Sequence, residues 1–293
     1  MERLELTVRA AQAGRTVGSL LRRELAMAEG QISSAKFRPD GILRNGAQAR
    51  VTDRVRAGDV LSVHIGDRGR NDAAPLDLPV PIVWEDDAFA VLDKPAGVGV
   101  YGEGTPNIAG FLAKKWGSGI EFHPVNRLDV GTTGLMIAAK DGYTHDRLRR
   151  MLHTDDFCRE YLAAAEGIVT PAEGSIELPI GRDPADGARR RVDPAGQPSR
   201  TDYAVLAVIE NRSLLRLRLH TGRTHQIRVH MSAIGHPLIG DSLYGAADES
   251  LPRPALHSAY LRLVHPLTGE TLSFCAPLPA DMRRFFPDGI ETP

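Results

Sequence analysis

The feature that most constrains this chain is the pattern of apolar runs beyond residue 80. Runs such as AFAVLDKP, TGLMIAA, REYLAAAEG, TDYAVLAVIE and SLLRLRLHT are short, strand-like and separated by loops and helical stretches. They do not recur as strand–helix pairs, and no GxGxxG follows a strand, so a doubly wound nucleotide fold is disfavoured. An α+β fold fits better: a mixed, largely antiparallel sheet with peripheral helices.

Ahead of this region, residues 15–66 read as a compact α/β unit. TVGSLLRRELA places Val17, Leu20, Leu21 and Leu25 on one helical face, and a second short helix is expected near Gln31–Lys36. Strand-like runs follow, with turn signals at Asn45-Gly46 and Gly58-Asp59. This part is similar to the small RNA-binding domain first described in a ribosomal small-subunit protein. Residues 67–80 are polar, then proline-spaced, and read as a linker that lets a small lobe move. The expected division is therefore a small domain at 1–66, a linker at 67–80 and a larger domain at 81–293.

Charge adds to this only through its distribution. The formal net charge is -1, yet residues 1–66 carry 11 Lys/Arg against 7 Asp/Glu. Arg216, Arg218, Arg223 and Arg228 fall in a stretch without acidic residues, and Arg189, Arg190 and Arg191 form another cluster. Such local basic runs are what a phosphate backbone requires. Two cysteines far apart in sequence, Cys158 and Cys275, exclude a disulfide framework or a cysteine-rich zinc site. No apolar run approaches the ~20 residues that span a bilayer. The N-terminal stretch has no long apolar region of the secretory type. The expectation is a cytoplasmic protein.

Three segments could carry chemistry. In HPVNRLDVGTTGLMIAAK, Asp129 sits before a glycine-bearing loop and a strand at Leu135–Ala139, where a carboxylate is held at a sheet edge. Taken locally, Asp129 reads first as a turn residue, ahead of a catalyst. In LRLHTGRTHQIRVHMSAIGHPLIGDSLYG, Thr224 is a plausible helix N-cap, Ile227, Met231 and Ile234 recur at helical spacing, and Gly235 with Pro237 closes the helix. Arg228 lies within that helix beside its apolar stripe and needs an anionic partner if buried. His220, His225, His230 and His236 do not form a metal-binding spacing. In FCREYLAAAEG, Tyr161 opens an apolar strand, as a core aromatic or as a surface for a nucleobase.

Together these segments resemble the signature of the RluA-type pseudouridine synthase family. VWEDDAFAVLDKPAGVGV, NRLDVGTTGLMIAAK, REYLAAAEG, PIGRDP…GQPSRTDYAVL and LRLHTGRTHQIRVH…GHPLIGDSLYG occur in the family's order through nearly the whole of 80–293. The resemblance implies a pseudouridine synthase catalytic fold, an isomerase of uridine in RNA, and no cofactor or metal. Asp129 matches the catalytic Asp, Tyr161 the Tyr that packs on the target base, and Arg228 the Arg that pairs with the carboxylate. Arg127 matches a position that in some members fills the gap left by the flipped base. Asn126, Thr133, Arg223 and His225 lie in the same motifs and are expected to face substrate. The family commonly reads HRLD, and Asn126 stands here in place of its His, so substrate choice does not carry over from HRLD members. The expected partner is structured RNA, ribosomal ahead of transfer RNA, bound by a monomer away from any membrane.

The chemistry accounts for these residue types. Pseudouridine formation breaks the glycosidic bond at nitrogen, rotates the base, rejoins it through a ring carbon and releases that carbon's proton. A carboxylate must be ionised beside that bond, and a nearby Arg favours its charged form. An Asp129–Arg228 ion pair is therefore expected. Two other readings compete: a non-catalytic RNA-binding protein that keeps the fold, and a glycosidase pairing Asp129 with a second acid such as Asp241.

Overall fold

In a computed structural model, residues 3–66, 71–117 and 119–286 are described. The small unit runs β1 (Arg3–Thr7), α1 (Val17–Arg23), α2 (Glu29–Lys36), β2 (Ile42–Arg44), β3 (Ala47–Gln48) and β4 (Val60–His64). Its four strands pair in the order β1-β4-β2-β3. Val17, Leu20 and Leu21 are buried against Ile42, Leu61 and Val63, so the predicted apolar face of α1 is its core face. Thr16 caps α1 by accepting from the Ser19 amide at 3.3 Å. The helix ends at Arg23, and Leu25 packs on the same core from the turn that follows.

The larger unit contains β5 (Ile82–Glu85), β6 (Phe89–Lys94), α3 (Ile108–Trp116), β7 (His123–Pro124), β8 (Thr133–Ala139), α4 (Gly142–Met151) and β9 (Phe157–Glu166). It continues with β10 (Glu173–Ile176), β11 (Ile180–Arg182), β12 (Arg190–Val192), β13 (Thr201–Ile209) and β14 (Arg212–Leu219). It closes with α5 (Gln226–Ala233), β15 (Leu256–Val264), β16 (Thr271–Cys275) and α6 (Ala280–Arg283). The main sheet runs β10-β13-β14-β9-β15-β8-β6-β5, with β16 beside β15 and β7 beside β8. Its pairings are antiparallel except β15–β8. The fold is α+β, with β11 and β12 as a separate hairpin. All five apolar runs that suggested strands are strands of this sheet.

The two faces of the sheet carry different cores. One face buries Leu128, Met136, Tyr161, Leu215 and Leu217 with Leu112 of α3 and Ile227 and Met231 of α5. The other buries Phe89, Leu135, Ile137, Leu148 and Leu263 beneath α4. Strand β8 is buried along all seven residues, which explains its continuous apolar run. Gly134 (φ +105°) permits the parallel contact with β15, because a Cβ there would strike the Ser258 backbone. That contact fixes the start of β8, and with it the loop that carries Asp129.

Of the segment read as a linker, residues 71–80 do not hang free. Residues 67–70 lie outside the described residues. Beyond them, Asn71 is buried and its Nδ2 donates to the Ala109 carbonyl at 3.0 Å, while the Leu76 amide donates to the Gly110 carbonyl at 2.9 Å. Residues 71–80 are thus laid along α3, ending at buried Val80. The small unit also contacts α4. Tyr143 joins its core and donates from Oη to the Leu25 carbonyl at 2.7 Å, and Gln31 donates to the Gly142 carbonyl at 3.0 Å.

Candidate active site

A cleft lies on the α5 side of the sheet. It is lined by Arg127, Leu128, Asp129 and Thr132 from the loop before β8, Tyr161 of β9, and Arg223, His225 and Arg228 around the start of α5. Asp129 closes a turn, its carbonyl accepting from the Thr132 amide at 3.0 Å. The turn reading and the site reading of Asp129 are therefore compatible: the turn is what holds the carboxylate at the cleft. Lys94, fully buried at the end of β6, stiffens the same loop from below. Its Nζ donates to the carbonyls of Val98 at 2.8 Å, Pro95 at 2.9 Å and Val130 at 3.3 Å. Burial lowers this lysine to about 8, opposed by the nearby Asp129 charge.

The expected ion pair is present. Arg228 Nη1 donates to Asp129 Oδ2 at 3.1 Å. Sequence reasoning missed the stronger half of the arrangement. Arg228 also donates from Nε and Nη2 to the two carboxylate oxygens of Asp241, at 2.7 and 2.8 Å. Asp241 is 0% exposed, whereas the Asp129 side chain is 26% exposed. A bidentate fork fixes the guanidinium plane, so Asp241 orients Arg228 and Arg228 presents one of its remaining N–H groups to Asp129. The two carboxylates hold the Arg228 guanidinium above its usual value against the opposing effect of burial. Asp241 is enclosed and spent on Arg228, so it is not available as the second acid of a glycosidase. The signal that could have found it is the GDSLYG run after α5, which folds back across the helix.

Tyr161 is 4% exposed and lines the cleft with a small part of its ring, in register with Ser258 of β15. Burial pushes its phenol up, so it is protonated at neutral pH. Arg127 is exposed at the rim. Arg223 also lines the cleft, with Nε donating to the Pro198 carbonyl at 3.1 Å.

Three expectations are corrected. Asn126 is buried and points inward: its Oδ1 accepts from the Ile137 amide at 2.8 Å and its Nδ2 donates to the Leu135 carbonyl at 3.4 Å. It bonds β8 as a strand partner would, and it is not among the residues that line the cleft. Thr133 is buried as well, with Oγ1 at 2.8 Å from His257 Nδ1, and its neighbour Thr132 lines the cleft instead. Thr224 does not cap α5. The cap position is His225, in the left-handed conformation at φ +58°, because the chain must turn sharply between β14 and the helix.

The other histidines are engaged singly. His220 bonds Asp202, His230 bonds Thr201 and the Leu178 carbonyl, and His236 bonds the Glu166 carbonyl. Among the described residues no group of three or more His, Cys, Asp or Glu is placed to hold a metal ion.

Comparisons with known proteins bear on the family and the fold. A family model described as RNA pseudouridylate synthase matches residues 88–233. The uncharacterized RNA pseudouridine synthase YhcT of Bacillus subtilis is 38% identical over 238 residues, covering 78% of each chain. A ribosomal large subunit pseudouridine synthase D of Vibrio vulnificus is 39% identical over 251 residues, covering 78% of this chain and 76% of that one. Among solved structures, human RNA pseudouridylate synthase domain containing 1 superposes with a TM-score of 0.55 at 27% identity, over 68% of this chain and 83% of that one. Motif order, fold and sequence relationship converge: the chain belongs to the RluA-type RNA pseudouridine synthases, isomerases that act on RNA.

Proposed function

We propose that this enzyme isomerises specific uridines of structured ribosomal RNA in the cytoplasm, with Asp129 as the ionised catalytic carboxylate acting on a flipped nucleoside. The observation that carries the reading is the Asp129–Arg228–Asp241 arrangement. It combines a partly exposed carboxylate, a cation held against it, and a buried anchor that fixes the cation. A guanidinium fixed in this way holds the carboxylate in one rotamer, and the glycosidic chemistry needs that orientation.

The cleft is narrow and lies beside the sheet, so a stacked uridine does not reach Asp129. Flipping costs a few kcal/mol. Arg127, exposed at the rim, offsets part of that cost by filling the vacated space and meeting phosphate. Tyr161 gives the uracil an apolar wall. The relatives whose names specify the large ribosomal subunit favour ribosomal over transfer RNA as the substrate.

The test is site-resolved pseudouridine mapping of total RNA from cells with the gene, without it, and with only Asp129→Ala. The expected result is the same missing ribosomal sites in the last two. Sites lost only from transfer RNA would overturn the substrate assignment. Sites retained with Asp129→Ala would overturn the role of Asp129.

A further inference from the structure

His225 reaches the cleft from an unusual backbone position and is tied to a tyrosine outside it. Its Nδ1 lies 2.8 Å from Tyr244 Oη. The same Oη accepts a hydrogen bond from the Arg190 amide of β12 at 2.8 Å. A phenol has one O–H to give, and here His225 Nδ1 is the acceptor in line for it. With Nδ1 accepting, the neutral imidazole carries its hydrogen on Nε2. That nitrogen points at the cleft, 3.9 Å from Asp129 Oδ2, longer than a hydrogen bond.

Two further observations show that this orientation is built. His225 holds φ +58°, a left-handed conformation that costs a residue with a Cβ some strain and that recurs at functional sites. Tyr244 also packs against two guanidinium groups, with Arg228 at 5.0 Å and Arg189 at 5.5 Å from its ring centroid. The ring is thus held by Arg228 and Arg189, and the hydroxyl by the Arg190 amide of the hairpin.

We propose that Tyr244 is a positioning residue that fixes the His225 tautomer, so that His225 Nε2–H donates to a carbonyl oxygen of the flipped uracil beside Asp129. The proposal rests on the pseudouridine synthase reading of the cleft. The groups facing His225 are Asp129 from the loop before β8, Arg228 of its own helix, Arg190 of the hairpin, and Asp241 and Tyr244 from the turn after α5. Burial, with Arg228 and Arg190, lowers its pKa, while Asp129 and Asp241 oppose that effect. The ring is therefore neutral at pH 7. Protonation would turn it into a cation that closes on Asp129 and competes with the substrate for the carboxylate.

The experiment uses the full-length protein and RNA labelled with tritium at uridine C5, which the isomerisation releases. Tyr244→Phe keeps the ring beside the two arginines and removes only the hydroxyl. The expected result is a fall in kcat of about tenfold, the effect of one lost oriented hydrogen bond, with KM little changed. The acid limb of the pH profile should move to higher pH, because the hydrogen bond that favours an unprotonated Nδ1 is then gone. In a His225→Ala background the same substitution should have no further effect. Wild-type kcat and an unmoved acid limb in a folded Tyr244→Phe, or losses that simply multiply in the double variant, would overturn the proposal. Failure of the wild-type protein to release tritium would instead overturn the reading of the cleft.

Discussion

Arg228 gives Asp241 two hydrogen bonds and gives Asp129 one. The asymmetry fits the proposed roles. The enclosed carboxylate anchors the guanidinium, the partly exposed one faces the cleft, and the guanidinium transmits rigidity from the first to the second. Removing the structural partner should therefore damage both stability and turnover. Asp241→Asn leaves a buried guanidinium short of charge and should cost about 3 kcal/mol of unfolding free energy, read by urea denaturation. It should also lower kcat by about 100-fold or more. Wild-type turnover in a folded Asp241→Asn protein would separate Asp241 from the site.

Arg228→Lys tests geometry apart from charge. An ammonium on a flexible stem does not reproduce the planar fork that spans two carboxylates. The expectation is a loss of about 10- to 100-fold in kcat with KM close to wild type, because an interaction that orients the reacting group is removed. Steady-state kinetics on a fixed RNA substrate decide this.

Salt dependence tests the rim. Arg127 is exposed at the rim of the cleft. Arg127→Ala should change stability by no more than about 0.5 kcal/mol. If this side chain meets a phosphate, the slope of log affinity for RNA against log salt should flatten by about 1. An unchanged slope, measured by filter binding across a salt series, would remove Arg127 from the RNA footprint.

A pH effect on stability follows from His257. This ring is buried between Thr133 and the Ala276 carbonyl, and burial lowers its pKa to about 4. A histidine whose folded pKa lies below the unfolded value near 6.5 contributes stability that is present at neutral pH. That stability is lost as pH falls from about 6.5 towards 4, where only the unfolded chain takes up the proton. The window corresponds to roughly 3 kcal/mol. Urea denaturation at pH 7 and pH 5 should show a clear loss in the wild type and a smaller one in His257→Asn.

Strand locations were legible in the sequence because apolar runs of the right length report local burial. The partners were not. Strand β15, central to the sheet between β9 and β8, interrupts its apolar residues with His257, Ser258 and Arg262, so no run announced it. Asp129, Tyr161 and Arg228 were legible as a set through the family pattern, and the first and last meet as expected. Asp241, Tyr244 and Lys94 were not, because their roles depend on a turn folding over α5 and on a lysine head buried among carbonyls. Asn126 and Thr133 show the converse. They lie within the motif that carries Asp129, yet adjacent residues on a chain entering a sheet point to opposite sides.

The central claim is that an ionised Asp129 performs the isomerisation. The most direct test is tritium release from uridine-labelled large-subunit ribosomal RNA by Asp129→Asn, which keeps the shape and removes the charge. The account predicts no detectable release, with RNA affinity within a few fold of wild type. Release at the wild-type rate would contradict it.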